Sequence, residues 1–232
     1  MKNSYITIAL VIVALAGAGG VIWYFKGADP LATQTQEGVS QSADTVVATI
    51  RGGETKITRG ELDVQIEQLA QNPQIQVPKE GDERIAFERL VLDQMVGNIL
   101  FFEEAKRQGF TADDAAVSAE LSKITGQYAD TAAFEAALLG AKLDKESLKT
   151  NIARQLITNQ YRNKIAAEHP STTTPEEIKA FYDAQITPQN PDTALEAVTQ
   201  DIQTYLEQQK VEEVITGIIA DLRASADVKI LI

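Results

Sequence analysis

Hydrophobic positions along this chain follow three regimes: one unbroken run, two short strand-like stretches, and a series of helix-period patterns between the strands. The run is Ile6–Phe25, twenty residues without a charge. That length spans the hydrocarbon core of a bilayer at helical rise. Trp23-Tyr24-Phe25 followed by Lys26 reads as an interfacial aromatic belt with a snorkelling lysine. Residues 1–26 are therefore expected to form one transmembrane anchor. The competing reading is a cleaved signal peptide, with Ala14-Leu15-Ala16 or Ala16-Gly17-Ala18 as the small-residue site. Against it, the apolar run continues through Val21, Ile22, Trp23, Tyr24 and Phe25. Neither reading leaves the rest of the chain in the cytoplasm. Lys2 ahead of the span favours an inside N-terminus, which places the remainder in the periplasm of a single-pass inner-membrane protein.

Residues 27–44 are polar, carry Gly, Pro, Ser and Gln, and show no period, as a flexible tether does. A coil of that length has a root-mean-square span of about 25 Å. The folded region is expected over residues 45–232. Val46, Val47 and Ile50 suit a strand, and Gly52-Gly53 a tight hairpin turn. Thr58 with Glu61 forms a capping box that starts a helix running to about Leu69. Residues 71–81 hold Pro73, Pro78 and Gly81 and read as a loop. Residues 82–108 form the longest helix of the first half. One face carries Ile85, Leu92, Val96 and Ile99; a second carries Phe87, Val91, Met95 and Phe102. A helix apolar on two faces is buried on two sides.

Gly109 closes that helix as a left-handed cap. Thr111, with Asp114 after it, opens the next, which turns Val117, Leu121 and Ile124 inward and ends near Gly126. Asp130 caps a short helix bearing Phe134 and Leu138 and ending at Gly140. Asp144 caps another, with Leu143 and Leu148 as a hydrophobic staple and Ile152, Leu156, Ile157, Tyr161 and Ile165 along it. Thr174-Pro175-Glu176-Glu177 is a strong helix start, with the stop near Ala184. After a break holding Pro188 and Pro191, Asp192 is read as the cap of a long helix to about Ala224. Its inner face is read as Leu195, Val198, Ile202, Tyr205, Val214, Ile218 and Leu222. Residues 227–232 suit a strand, and Val46–Arg51 is its expected partner. The fold class is thus mostly α, with a small sheet pairing the N- and C-terminal strands of the folded region.

Composition narrows the function. The chain has 232 residues, a net charge of −12 and 44% apolar residues, enough for a real core. An acidic balance argues against nucleic-acid binding, which needs a basic footprint. There is no cysteine, hence no disulfide framework.

Several segments, taken in order, resemble the SurA-type periplasmic chaperones. They are VVATIRGGETKITRGEL (46–62), LVLDQMVGNILFFEEAKRQGFTADDAAV (90–117), AFEAALLGAKLDKESLKTNIARQLI (133–157), TPEEIKAFYDAQ (174–185) and YLEQQKVEEVITGIIADLRASADVKIL (205–231). The resemblance implies a SurA N-terminal-like helical domain, and an anchor like that of the membrane-bound PpiD-type relatives. In those proteins a parvulin-type prolyl isomerase domain follows the FYDA-type helix. Here only seven residues separate Ala184 from Asp192, too few for such a domain. The chaperone module is therefore carried over and the isomerase activity is not.

No motif supplies an alternative chemistry. His169, the single histidine, precedes Pro170 at a helix C-terminus, where an imidazole complements the dipole. Glu103-Glu104, Asp113-Asp114, Glu176-Glu177 and Glu212-Glu213 are adjacent pairs, which on a helix point about 100° apart and do not face each other. No phosphate loop, nucleophile elbow or metal-ligand cluster is present in the sequence. The expectation is a non-enzymatic holdase, without cofactor or metal, that binds unfolded or translocating envelope proteins. Met and aromatic side chains suit weak contact with many sequences. The expected client-contacting residues are Phe87, Val91, Met95 and Phe102 on the second face, with Ile75 and Val77 in the Pro-rich loop; the same face could instead fill the core. The rival readings are a module that recruits one dedicated partner, and a residual prolyl isomerase.

Overall fold

A computed structural model describes residues 42–141 and 143–232. The expected anchor, residues 1–26, and most of the tether lie outside the described residues. Among the described residues the order is strand β1 (Val46–Ile50), strand β2 (Thr55–Thr58), and helices α1 (Arg59–Ala70), α2 (Gly81–Arg107), α3 (Asp114–Thr125), α4 (Thr131–Gly140), α5 (Lys145–Glu168) and α6 (Pro175–Phe181). Helix α7 (Leu195–Ser225) and strand β3 (Lys229–Ile230) follow. The sheet has the order β2-β1-β3, antiparallel throughout. β3 pairs Ile230 with Ala48 and Lys229 with Thr49, so the two ends of the folded region meet as expected.

Local grammar explains most boundaries. The turn between β1 and β2 is a short 3-10 turn, in which Arg51, Gly52 and Gly53 all have positive φ (52°, 67° and 104°). Glycine takes that conformation without steric penalty. Arg51 is held there by two partners: its N–H donates to Ala226 O at 2.7 Å, and its guanidinium meets Glu103 at 2.9 Å. The Thr58–Glu61 box is formed, with the Thr58 N–H 2.7 Å from Glu61 Oε2. Gly109 has φ 88° after α2. Asp130 and Asp144 cap α4 and α5, and Thr174 with Glu177 boxes α6.

Three boundaries differ from the sequence reading. The cap of α3 is Asp113, which accepts from Ala116 N at 2.6 Å; Thr111 instead offers its carbonyl to Gln160. Asp192 does not cap α7: the helix starts at Leu195 with Ala194 in the cap position and no side-chain bond there. Between α6 and α7 the helix widens into a π turn over Tyr182–Ile186, ahead of Pro188. The widened turn sends the Thr187 N–H to Tyr182 O, buries Ile186, and lets the Tyr182 hydroxyl donate to Thr193 O.

Among the described residues the core is divided into four. The first joins Val47, Ile50 and Ile57 of the sheet to Leu62 and Ile66 of α1 and to Leu92, Val96 and Leu100 of α2. The second sets Phe101 and Ala105 of α2 against Ile157, Tyr161 and Ile165 of α5 and Ile215 of α7. The third is Val117, Leu121, Phe134, Leu148 and Ile152. The fourth is Ile178, Ile186, Val198 and Ile202. Helices α2, α5 and α7 each pass from one core into another. In α7 the buried residue shifts from Ile202 to Ile215, a rotation of about 220° around the helix. One inner face therefore does not describe α7. Tyr205, Val214, Ile218 and Leu222 are only half-buried, and Ile215 is the buried residue at its centre.

Candidate functional site

Elements α1, α2 and the 71–80 loop converge where the first core reaches the surface. A charge network fixes them. Glu88 of α2 accepts from Arg84 Nε at 2.7 Å and meets Arg59 Nη1 of α1 at 2.8 Å. Arg84 Nη1 also donates to Pro78 O at 3.3 Å, which ties the loop to the helix. Burial alone pushes the Glu88 carboxyl up, but the two guanidinium groups outweigh it and hold the carboxyl below its ordinary value. Asp63, one turn after Arg59, is raised, mainly by burial.

This frame sets the six residues expected to contact clients. Val91 and Met95 are 4% and 3% exposed and belong to the first core. In this conformation the second face of α2 is therefore packing rather than groove. The physical reason is that the sheet, α1 and α7 together cover more of α2 than one stripe. Val77 and Phe87 are half-buried at the margin of the same core, and Ile75 is half-buried in the loop. Phe102 lies apart, half-buried against the second core, with Arg154 over its ring at 5.0 Å and Lys106 at 5.8 Å. The structure thus brings Val77 and Phe87 to one margin, leaves Ile75 half-buried in the loop, and separates Phe102 from them.

The exposed apolar side chains lie elsewhere on the same elements. On α2, Ile85 is 44% and Leu90 68% exposed; beside the sheet, Leu231 is 55% exposed. Arg89 links the two by donating to Ile232 O at 2.7 and 3.2 Å. Ile232 and Ile230 pack on the first core together with Val77 and Phe87. Ile85, Leu90 and Leu231 thus form an apolar rim where α2 meets the segment that follows β3. A second exposed site is α4, whose sequence TAAFEAALLG is apolar nearly all round. It buries Phe134 and leaves Leu139 80% exposed, with Tyr128 edge-on to Phe134 at 5.5 Å. Such a helix is ordinarily covered. Leu90, Leu139 and Leu231 were not expected as site residues. The available signal was that α4 has only one charged residue in ten.

One or both members of each adjacent carboxylate pair have a structural partner, Asp113 as the cap of α3. Glu104 is held below its ordinary value, first by the hydrogen bonds from Arg107 (2.6 and 2.7 Å) and then by Gln108. Glu177 is lowered by the Thr174 backbone N–H and by Lys210. Glu212 pairs with Arg162, and Glu103 with Arg51. His169 is exposed at the end of α5, its N–H donating to Ile165 O. Among the described residues no three His, Cys, Asp or Glu side chains are grouped to hold a metal ion. No described helix is long and apolar enough to cross a membrane.

A mostly helical body closed by a three-stranded sheet from its two ends defines the class. The family model of the SurA-like N-terminal domain matches residues 2–162, more than half of the chain, and the chain belongs to that family. The match ends inside α5; α6, α7 and β3 lie beyond it, although α7 and β3 complete the first two cores. No curated protein matches the chain.

Proposed function

We propose that this protein is a membrane-anchored periplasmic holdase. It binds unfolded or translocating envelope proteins, needs no cofactor, and has no prolyl isomerase activity. The observation that carries the reading is the set of large apolar side chains held open to water by a well-packed frame: Ile85, Leu90 and Leu231 on the rim and Leu139 on α4. Family membership supports a chaperone-type role. The anchor rests on the Ile6–Phe25 run, and its tether raises the local concentration of the binding surface near the translocation exit. Lack of isomerase activity rests on the short link of residues 187–194 between the π turn and α7. With no nucleotide motif in the sequence, clients leave through weak affinity and their own folding.

Light scattering of an unfolded outer-membrane β-barrel protein, with and without residues 27–232, tests the reading. Suppression at a few-fold molar excess is expected, and scattering unchanged at that ratio refutes it. A second reading is favoured by α4: an apolar helix with one exposed side also suits a dedicated partner. Recovery from membranes of one stoichiometric protein, rather than a range of unfolded chains, would select it.

A further inference from the structure

The open edge of β3 is used by nothing described so far. β3 lies at one side of the sheet, and its inner side faces β1. The Leu231 N–H donates to Val47 O at 2.9 Å, and Ile230 stands opposite Ala48 in the register. In an antiparallel pair such positions alternate, so the N–H and C=O of Ile230 point away from β1, out of the sheet. The neighbouring surface is apolar. Leu231 is exposed beside this edge, and Arg89 pins Ile232 to α2, where Ile85 lies one turn earlier on the same face. The opposite edge, β2, presents exposed Lys56 between Thr55 and buried Ile57 and has no exposed large apolar residue of its own.

We propose that the β3 edge captures clients by strand addition: an extended, alternately apolar segment pairs with Ile230 and becomes the fourth strand, in the order β2-β1-β3-client. This rests on the holdase reading and names how the rim engages a chain. Main-chain pairing accounts for tolerance of many sequences, because every residue except proline carries the same donor and acceptor. Charge argues for such a segment over a second copy of this protein, since two copies would bring together bodies of −12 each. The strand is two residues long and Lys229 is exposed on it, and both features keep such pairing weak and reversible.

The test uses the full-length chain in lipid nanodiscs. The probe is a fluorescent ten-residue peptide of alternating valine and threonine with lysine ends, and the same peptide N-methylated at every amide. Anisotropy is expected to show the methylated peptide binding weaker by about tenfold or more, the loss expected for one or two main-chain hydrogen bonds. Ile230→Pro removes only the outward N–H, a position where an edge strand tolerates proline; Ile230→Ala controls for the lost side chain. Proline is expected to bind several-fold weaker than alanine, and the wild-type Ile230 amide to exchange more slowly with peptide present. Equal binding of the two peptides, no binding of either, or unchanged Ile230 exchange overturns the inference. If the edge captures the peptide yet residues 27–232 do not suppress aggregation, strand addition stands and the holdase reading falls.

Discussion

Removing the Glu88 carboxylate is expected to loosen the end of the molecule that carries the apolar rim. Glu88 lies between Arg84 and Arg59 at 2.7 and 2.8 Å, and Arg84 in turn holds Pro78 O. In Glu88→Ala two guanidinium groups lose their shared counter-charge. Breaking a buried pair from one side costs about 3–5 kcal/mol. Both arginines retain some access to water, so a smaller cost, about 2–3 kcal/mol, is expected here. For a domain of this size that lowers Tm by roughly 4–12 °C. Urea unfolding gives the free energy, and hydrogen exchange across residues 71–80 reports whether the loop detaches first. Replacing all three together, Arg59→Met and Arg84→Met with Glu88→Met, is expected to recover most of the loss, because no guanidinium is then left without its carboxylate. The sign with pH follows from the lowered Glu88 carboxyl. Its contribution is complete above the ordinary carboxylate value of 4.5 and is lost as pH falls through the lower folded-state value. Asp63, raised by burial, acts in the opposite sense and favours the fold less as pH rises. Glu88→Gln is therefore expected to flatten the acid limb of the stability curve. A loss under about 0.5 kcal/mol in Glu88→Ala, the range of ordinary surface substitutions, with loop exchange unchanged, would refute the reasoning.

Three further outcomes follow from packing. Gly97→Ala sets a Cβ 3.1 Å from Ile219 Cγ2 where α2 crosses α7; the helix-propensity gain of about 1 kcal/mol offsets part of an overpacking cost of about 1–3 kcal/mol, and a net loss of about 0–2 kcal/mol is expected in urea unfolding. Ile215→Ala empties the centre of the second core and is expected to cost about 2–5 kcal/mol, read the same way. Leu90→Ser with Leu139→Ser is expected to leave stability within about 0.5 kcal/mol per site while reducing aggregation suppression in the light-scattering assay.

Helix starts set by a side chain were the most legible part of the sequence. Thr58, Asp130, Asp144 and Thr174 stand where their polar groups satisfy first-turn amides, a requirement met within a few residues of chain. The pairing of β1 with β3 was legible because two apolar ends with strand character needed partners. Asp192 misled, because Thr193 N–H turns back to Asn190 O and the helix begins two residues later, without a side-chain cap. Helix α7 misled for a longer-range reason. It serves three cores in succession, its apolar residues migrate around the axis, and a single-face reading follows only the first of them. The site was partly legible. Val77 and Phe87 lie at a surface margin, but Val91 and Met95 are sealed by elements distant in sequence, which periodicity within α2 does not register.

The division of the interior into four clusters gives the molecule a modular economy. The π turn and the bend of residues 187–194 rest on Ile178, Ile186, Val198 and Ile202, a cluster separate from the one beneath the sheet. A folded insert spliced between Pro188 and Pro191 would load that outlying cluster alone. This tip of the protein can accordingly be lengthened, shortened or exchanged while the opposite end keeps its shape.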